Sequence, residues 1–83
     1  MKLAEMPGGD MDIKLLLRQG IGPAHLTGRI PPHSTWDARS TILIVHGASF
    51  AQEKEGMLKI ERPGGMNLMV RASDLRDWRK ISK

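Results

Sequence analysis

Three histidines, His25, His33 and His46, are the side chains best suited to hold a metal or move a proton, and their spacing argues against both roles. None lies three or four positions from another, and there is no cysteine. Neither a helical histidine pair nor a thiolate set is therefore available for zinc. His46, after an apolar run, reads as a hydrogen-bonded strand-end residue. Asp37, Asp74 and Asp77 make no general-acid pair and read as capping or ion-pair residues. Gly64-Gly65 lacks the Lys-Ser/Thr that follows a phosphate-cradling loop and reads as a hairpin turn. The expectation is no cofactor, no metal, no catalytic residue and no enzyme. What remains is cationic chemistry. Lys59, Arg62, Arg71, Arg76, Arg79, Lys80 and Lys83 are the candidate contacts to phosphate or to an acidic protein surface.

Charge distribution sharpens that reading. The chain has 83 residues and 13 Lys plus Arg against 9 Asp plus Glu, a net charge of +4. Up to residue 56 the signs balance, so the whole surplus falls in residues 57–83. A sequence this short makes one domain with a small core. No apolar run approaches the ~20 residues of a membrane span, and no signal-peptide core is visible at the N-terminus. The cysteine-free composition favours a reducing compartment. We expect a soluble, cytoplasmic chain with no membrane partner, whose partner is nucleic acid or an acidic protein surface; a homodimer is compatible with so small a sheet.

Positioning those cations requires secondary structure. Residues 1–9, ending in Met6-Pro7-Gly8-Gly9, read as a flexible lead-in to a single domain over 10–83. Ile13, Leu16 and Leu17 recur at helical spacing after the capping candidates Asp10 and Asp12, with Gly20 at the C-cap, which predicts a short helix over 11–19. The alternation of Ile13, Leu15 and Leu17 keeps a strand as the rival. Pro23 suits a first helical turn, giving a helix through Ile30 before Pro31-Pro32, again with a strand as alternative. Thr41-Ile42-Leu43-Ile44-Val45 predicts a central strand ended by Gly47. Gln52–Gly56 reads as a charged surface loop.

A three-residue loop at Pro63-Gly64-Gly65 pairs Ile60 with Leu68 and Leu58 with Val70, collecting four apolar side chains on one face. The other face then shows Glu61 opposite Asn67, Lys59 opposite Met69, and Met57 opposite Arg71. Ser73 as N-cap, the i+3 stripe Leu75, Trp78 and Ile81, and the opposing Arg76, Arg79, Lys80 and Lys83 predict a C-terminal amphipathic helix. The fold expected is α+β: a three-stranded or larger antiparallel sheet, a short N-terminal helix and a C-terminal helix, with an SH3-like small β-barrel as the alternative.

Several stretches resemble known families. Leu17-Arg18-Gln19-Gly20-Ile21-Gly22-Pro23-Ala24-His25-Leu26 resembles the helix-turn-helix of phage repressors, and its Gly-Ile-Gly is similar to a helix-hairpin-helix turn; an ordinary capped turn is the favoured account of the segment. Thr41–Ala51, with His46-Gly47-Ala48-Ser49, resembles the strand and turn near the oxyanion hole of α/β-hydrolases, a fold too large for this length. Val70-Arg71-Ala72-Ser73-Asp74-Leu75-Arg76-Asp77-Trp78 resembles the wing-then-helix ending of excisionase-like winged-helix proteins.

Two functions follow. The first is a nucleic-acid-binding domain, such as a small phage or mobile-element regulator, with Arg29 and His25 joining the interface where 23–30 forms a recognition helix. The second is a protein-binding module or inhibitor docking through the basic face or the Met-rich hairpin of Met57, Met66 and Met69. Single-strand binding by stacking is disfavoured, because one Phe and two Trp are too few for both a core and a stacking platform.

Overall fold

A computed structural model describes residues 11–27, 33–63 and 67–82. The expectations for residues 1–9, Arg29, the hairpin tip at 64–66 and Lys83 lie outside the described residues. The elements run β1 (Met11–Leu17), α1 (Ala24–Thr27), β2 (Ser34–Asp37), β3 (Ile42–Ala48), β4 (Phe50–Lys54), β5 (Met57–Glu61), β6 (Asn67–Arg71), a 3-10 turn (Ala72–Asp74) and β7 (Leu75–Ser82). They form two antiparallel sheets, one ordered β2-β3-β1-β7 and the other β4-β5-β6. The fold is nearly all β, which corrects the α+β expectation at both ends of the chain.

At the N-terminal end, residues 11–17 are a strand rather than a helix. An isolated nine-residue helix is marginal in water, whereas as β1 this segment pairs on both sides, with β3 and with β7. Its period-2 pattern places Ile13, Leu15 and Leu17 in the core with no exposed surface. Gly20, at φ +91°, serves a turn closed by Ile21 N–H to Arg18 C=O (3.0 Å) instead of capping a helix. In the segment given to the second helix, the described residues contain only the four-residue α1.

The C-terminal helix is replaced by the 3-10 turn and β7, and the register explains why its pattern misleads. Leu17 pairs with Leu75, but Leu16 pairs with Asp77, so Arg76 is an extra residue bulged out of the strand. A bulge shifts the alternation by one. Leu75 and Trp78, three apart, therefore share the core face, as they would on a helix. Ile81 pairs with Asp12 and falls on the opposite face.

Elsewhere pattern and structure agree. The 42–48 strand is interior, flanked by β2 and β1. The β5–β6 register is Ile60 to Leu68, Leu58 to Val70, Lys59 to Met69 and Met57 to Arg71, the apolar-matched pairing. The charged loop over Gln52–Gly56 is instead the rest of β4 and a two-residue turn. Glu55 (φ 55°) and Gly56 (φ 79°) both take the left-handed conformation that suits a tight hairpin. One cluster of buried aliphatic side chains, drawn from both sheets, forms the core; Trp36 and Trp78 pack against it only in part. Among the described residues no helix is long and apolar enough to cross a membrane.

Candidate functional site

The six predicted cations among the described residues do not form one face. Arg62 and Arg76 are turned onto the backbone. Arg62 Nε donates to the His46 carbonyl (2.8 Å), at the bend where the chain leaves the four-stranded sheet for the three-stranded one. Arg76, at the bulge, donates from Nε to the Leu17 carbonyl (2.9 Å) and from Nη2 to the Ser40 carbonyl (3.2 Å) and Thr41 Oγ1 (3.3 Å). Thr41 itself holds a left-handed φ of 54°, unusual for a β-branched residue. Both arginines read as structural clamps.

The remaining cations divide between strands. Arg79 lies in the row of Lys14 on the outer face of the four-stranded sheet and pairs with Asp77 at 3.2 Å. Lys80 pairs in register with Ile13 and so projects from the other side of β7, exposed. Among the described residues only Lys59 and Arg71 stay together, on the outer face of the three-stranded sheet.

That face is built by simple alternation. Leu58, Ile60, Leu68 and Val70 point into the core, so Met57, Lys59, Glu61, Asn67, Met69 and Arg71 point out. β4 adds Phe50, Gln52 and Lys54 to the same side. Three rows result: Phe50–Glu61–Asn67, Gln52–Lys59–Met69 and Lys54–Met57–Arg71. Three cations face one carboxylate, Glu61, which holds Lys59 Nζ at 3.0 Å. Phe50 and Met69 are 40% and 45% exposed, the two exposed large apolar residues among the described ones. Their exposure matters because such side chains mark contact surfaces.

The face continues at its Arg71 corner into an open groove of about 430 Å³ between α1 and β6. Ile21, Leu26, Met57 and Met69 form its apolar walls, and Arg71 and Asp74 its polar end. His25 also lines it and accepts the Gly22 N–H at Nδ1 (3.0 Å). In the neutral ring the proton then sits on Nε2.

Phe50 and Lys54 are absent from the predicted site because the sequence reads Gln52–Gly56, most of β4 and its turn, as a loop; the signal for the strand is Glu55-Gly56, a tight-turn pair just before Met57. Also absent is a polar chain on the other sheet. Asp12 Oδ2 meets His46 Nδ1 at 3.1 Å, and His46 Nε2 meets Thr35 Oγ1 at 2.8 Å. Asp12 Oδ1 also accepts the Gly47 N–H (3.1 Å). These residues lie far apart in sequence, and only the β1–β3–β2 register aligns them. The order acid–imidazole–hydroxyl is that of a hydrolase triad. Thr35, however, stands exposed on edge strand β2, and the grooves at α1, at Ser40–Arg76 and at Glu53–Trp78 all lie elsewhere. The chain of bonds cross-ties three strands and holds Gly47, at φ 72°, in its bend. Ser49, the serine of the hydrolase-like stretch, has its N–H and Oγ on the Glu61 carbonyl (2.9 and 3.3 Å).

No three acidic, histidine or cysteine side chains among the described residues are grouped so as to hold a metal. Two carboxyls sit below their ordinary range. Asp37 is lowered mainly by the Ser40 hydroxyl, then by the Arg39 N–H; Asp77 is lowered mainly by the Trp78 N–H, then by Arg79. Both belong to turn and ion-pair geometry. Compared with known proteins, the chain matches no family model, no curated protein and no solved structure.

Proposed function

We propose that this chain is a non-enzymatic, cytoplasmic nucleic-acid-binding domain that contacts its ligand through the outer face of β4–β5–β6. The observation that carries the reading is the grouping on one open sheet of Lys54, Lys59 and Arg71 with the exposed Phe50 and Met69. Cations supply the sequence-independent attraction to phosphate, and apolar side chains beside them suit bases rather than water. The interface therefore differs from the one expected on the C-terminal hairpin and helix. Lys59 and Arg71 remain in it, Arg62 and Arg76 support the fold, and Lys54 joins.

The test is titration of fluorescent mixed-sequence DNA and RNA at about 50 mM salt. Binding through three cationic contacts gives a log–log salt slope of about −2 to −3. Absence of binding to either polymer contradicts the reading. Exposed Phe50 and Met69 also favour a second reading, docking on an acidic, partly apolar protein surface. A nuclease-treated lysate pull-down in which one protein is retained by the native chain, but not by Lys54→Glu/Arg71→Glu, is the result expected from that alternative.

A further inference from the structure

We infer that the ligand of the β4–β5–β6 face is single-stranded nucleic acid, with one base stacked on Phe50 and another seated in the groove beside α1; this rests on the nucleic-acid reading above. The first support is where the aromatic residues lie. The buried cluster is entirely aliphatic, with the two tryptophans packed against it only in part. Trp78 is further committed by its Nε1–H bond to Glu53 (2.7 Å). The core therefore makes no demand on Phe50, and its ring is left on the surface. This removes the objection that so few aromatic residues cannot serve both a core and a stacking platform.

The second support is the order of features across the face. Phe50 is at one corner and Arg71 at the opposite one, two strand spacings and four residues away, roughly 16 Å. Lys59 lies in the middle row and Lys54 on the Arg71 row. A strand laid along this diagonal passes Lys59 and ends at Arg71, with Lys54 flanking it from the other end of the Arg71 row. Its unpaired bases meet apolar side chains at both ends. The groove gives the terminal base Leu26 and Met69 as walls, with polar edges to read at Arg71, Asp74 and His25. A duplex offers this face only phosphate and sugar, leaving Phe50, Met57 and Met69 without a stacking partner and the groove empty. Stacking on an exposed ring accepts any base, so little sequence preference is expected.

The experiment is fluorescence anisotropy of the full chain with a 12-nucleotide single strand, DNA or RNA, and with a 12-base-pair duplex of the same sequence, at about 50 mM salt. The single strand is expected to bind at least about tenfold more tightly. Phe50→Ala should weaken it by about 5- to 150-fold, the range found for removing one stacking residue, while Phe50→Trp restores binding. Leu26→Asp should weaken the single strand and leave the duplex unchanged. Circular dichroism verifies that each variant is folded. Equal affinity for the two forms together with a neutral Phe50→Ala overturns this inference but leaves nucleic-acid binding in place. No binding to either form overturns both.

Discussion

The two sheets turn unlike faces to solvent. On the four-stranded sheet the outward rows are Thr35–Ile44–Lys14–Arg79 and Asp37–Ile42–Leu16–Asp77, with His46, Asp12 and Ile81 beyond them. Its polar groups are largely consumed internally: Asp12 by His46 and Gly47, Asp77 by Arg79, and Asp37 by its own turn. Two cations, Lys14 and Arg79, stand against three carboxylates. On the three-stranded sheet three cations stand against one carboxylate, and the large apolar side chains are exposed. The contrast shows that a charge surplus confined to one third of a sequence need not form one surface. The 3-10 turn carries the last strand to the other sheet, and what remains on β4–β5–β6 is smaller but exposed.

The largest expected effect comes from reversing charge on one face at a time. Lys54→Glu/Arg71→Glu should lower affinity for a mixed-sequence oligonucleotide by roughly 100-fold or more at 50 mM salt, through lost contacts and added repulsion. Lys14→Glu/Arg79→Glu on the other sheet should change it by no more than a few fold. Equal losses from the two pairs, measured by anisotropy, would erase the distinction between the faces.

The clamps should behave in the opposite way, affecting folding and leaving binding intact. Arg76→Ala removes donors from two carbonyls and a hydroxyl and should lower stability by about 1–2 kcal/mol. For a domain of this size that is roughly 4–16 °C in Tm. Affinity measured well below Tm should stay near the native value. A weakened affinity with unchanged Tm would return Arg76 to the interface. Gly47→Ala should cost about 1 kcal/mol or a little more, because a side chain is placed at φ 72° in the bend between the sheets; chemical denaturation measures it.

The smallest effect concerns acid. Asp37 and Asp77 have carboxyl pKa values lowered in the folded state. Each contributes stability that is present above its unfolded pKa and lost as pH falls through its folded value, below about pH 4. Both groups lie at the exposed surface, so the contribution is slight. Ser40→Ala should move the Asp37 titration, followed by NMR, back toward the ordinary carboxylate value; an unmoved titration would mean that the Ser40 hydroxyl does not cause the lowering.

Legibility in the sequence followed how local each determinant was. The β5–β6 register could be read because only one alignment puts Leu58, Ile60, Leu68 and Val70 on one face. The interior position of β3 could be read because both its faces are apolar. The C-terminal strand could not, since a single bulge gives Leu75 and Trp78 the spacing of a helix. β1 remained ambiguous until its two neighbours existed to pair with it. Of the proposed binding face, Lys59 and Arg71 were visible through the hairpin register. Phe50 and Lys54 were not, because their strand is short, polar and recognisable only through its partner. The Asp12–His46–Thr35 chain depends on three strands at once and has no sequence signature.

The most direct test of which face binds is an amide NMR titration of the full chain with a 12-nucleotide single strand. Shifts are expected to concentrate at Phe50, Gln52, Lys54, Lys59, Met69 and Arg71 and around Leu26, with Lys14, Ile44 and Arg79 nearly still. Shifts concentrated instead at Lys14, Arg79 and Lys80, with the β4–β5–β6 face unmoved, would contradict it.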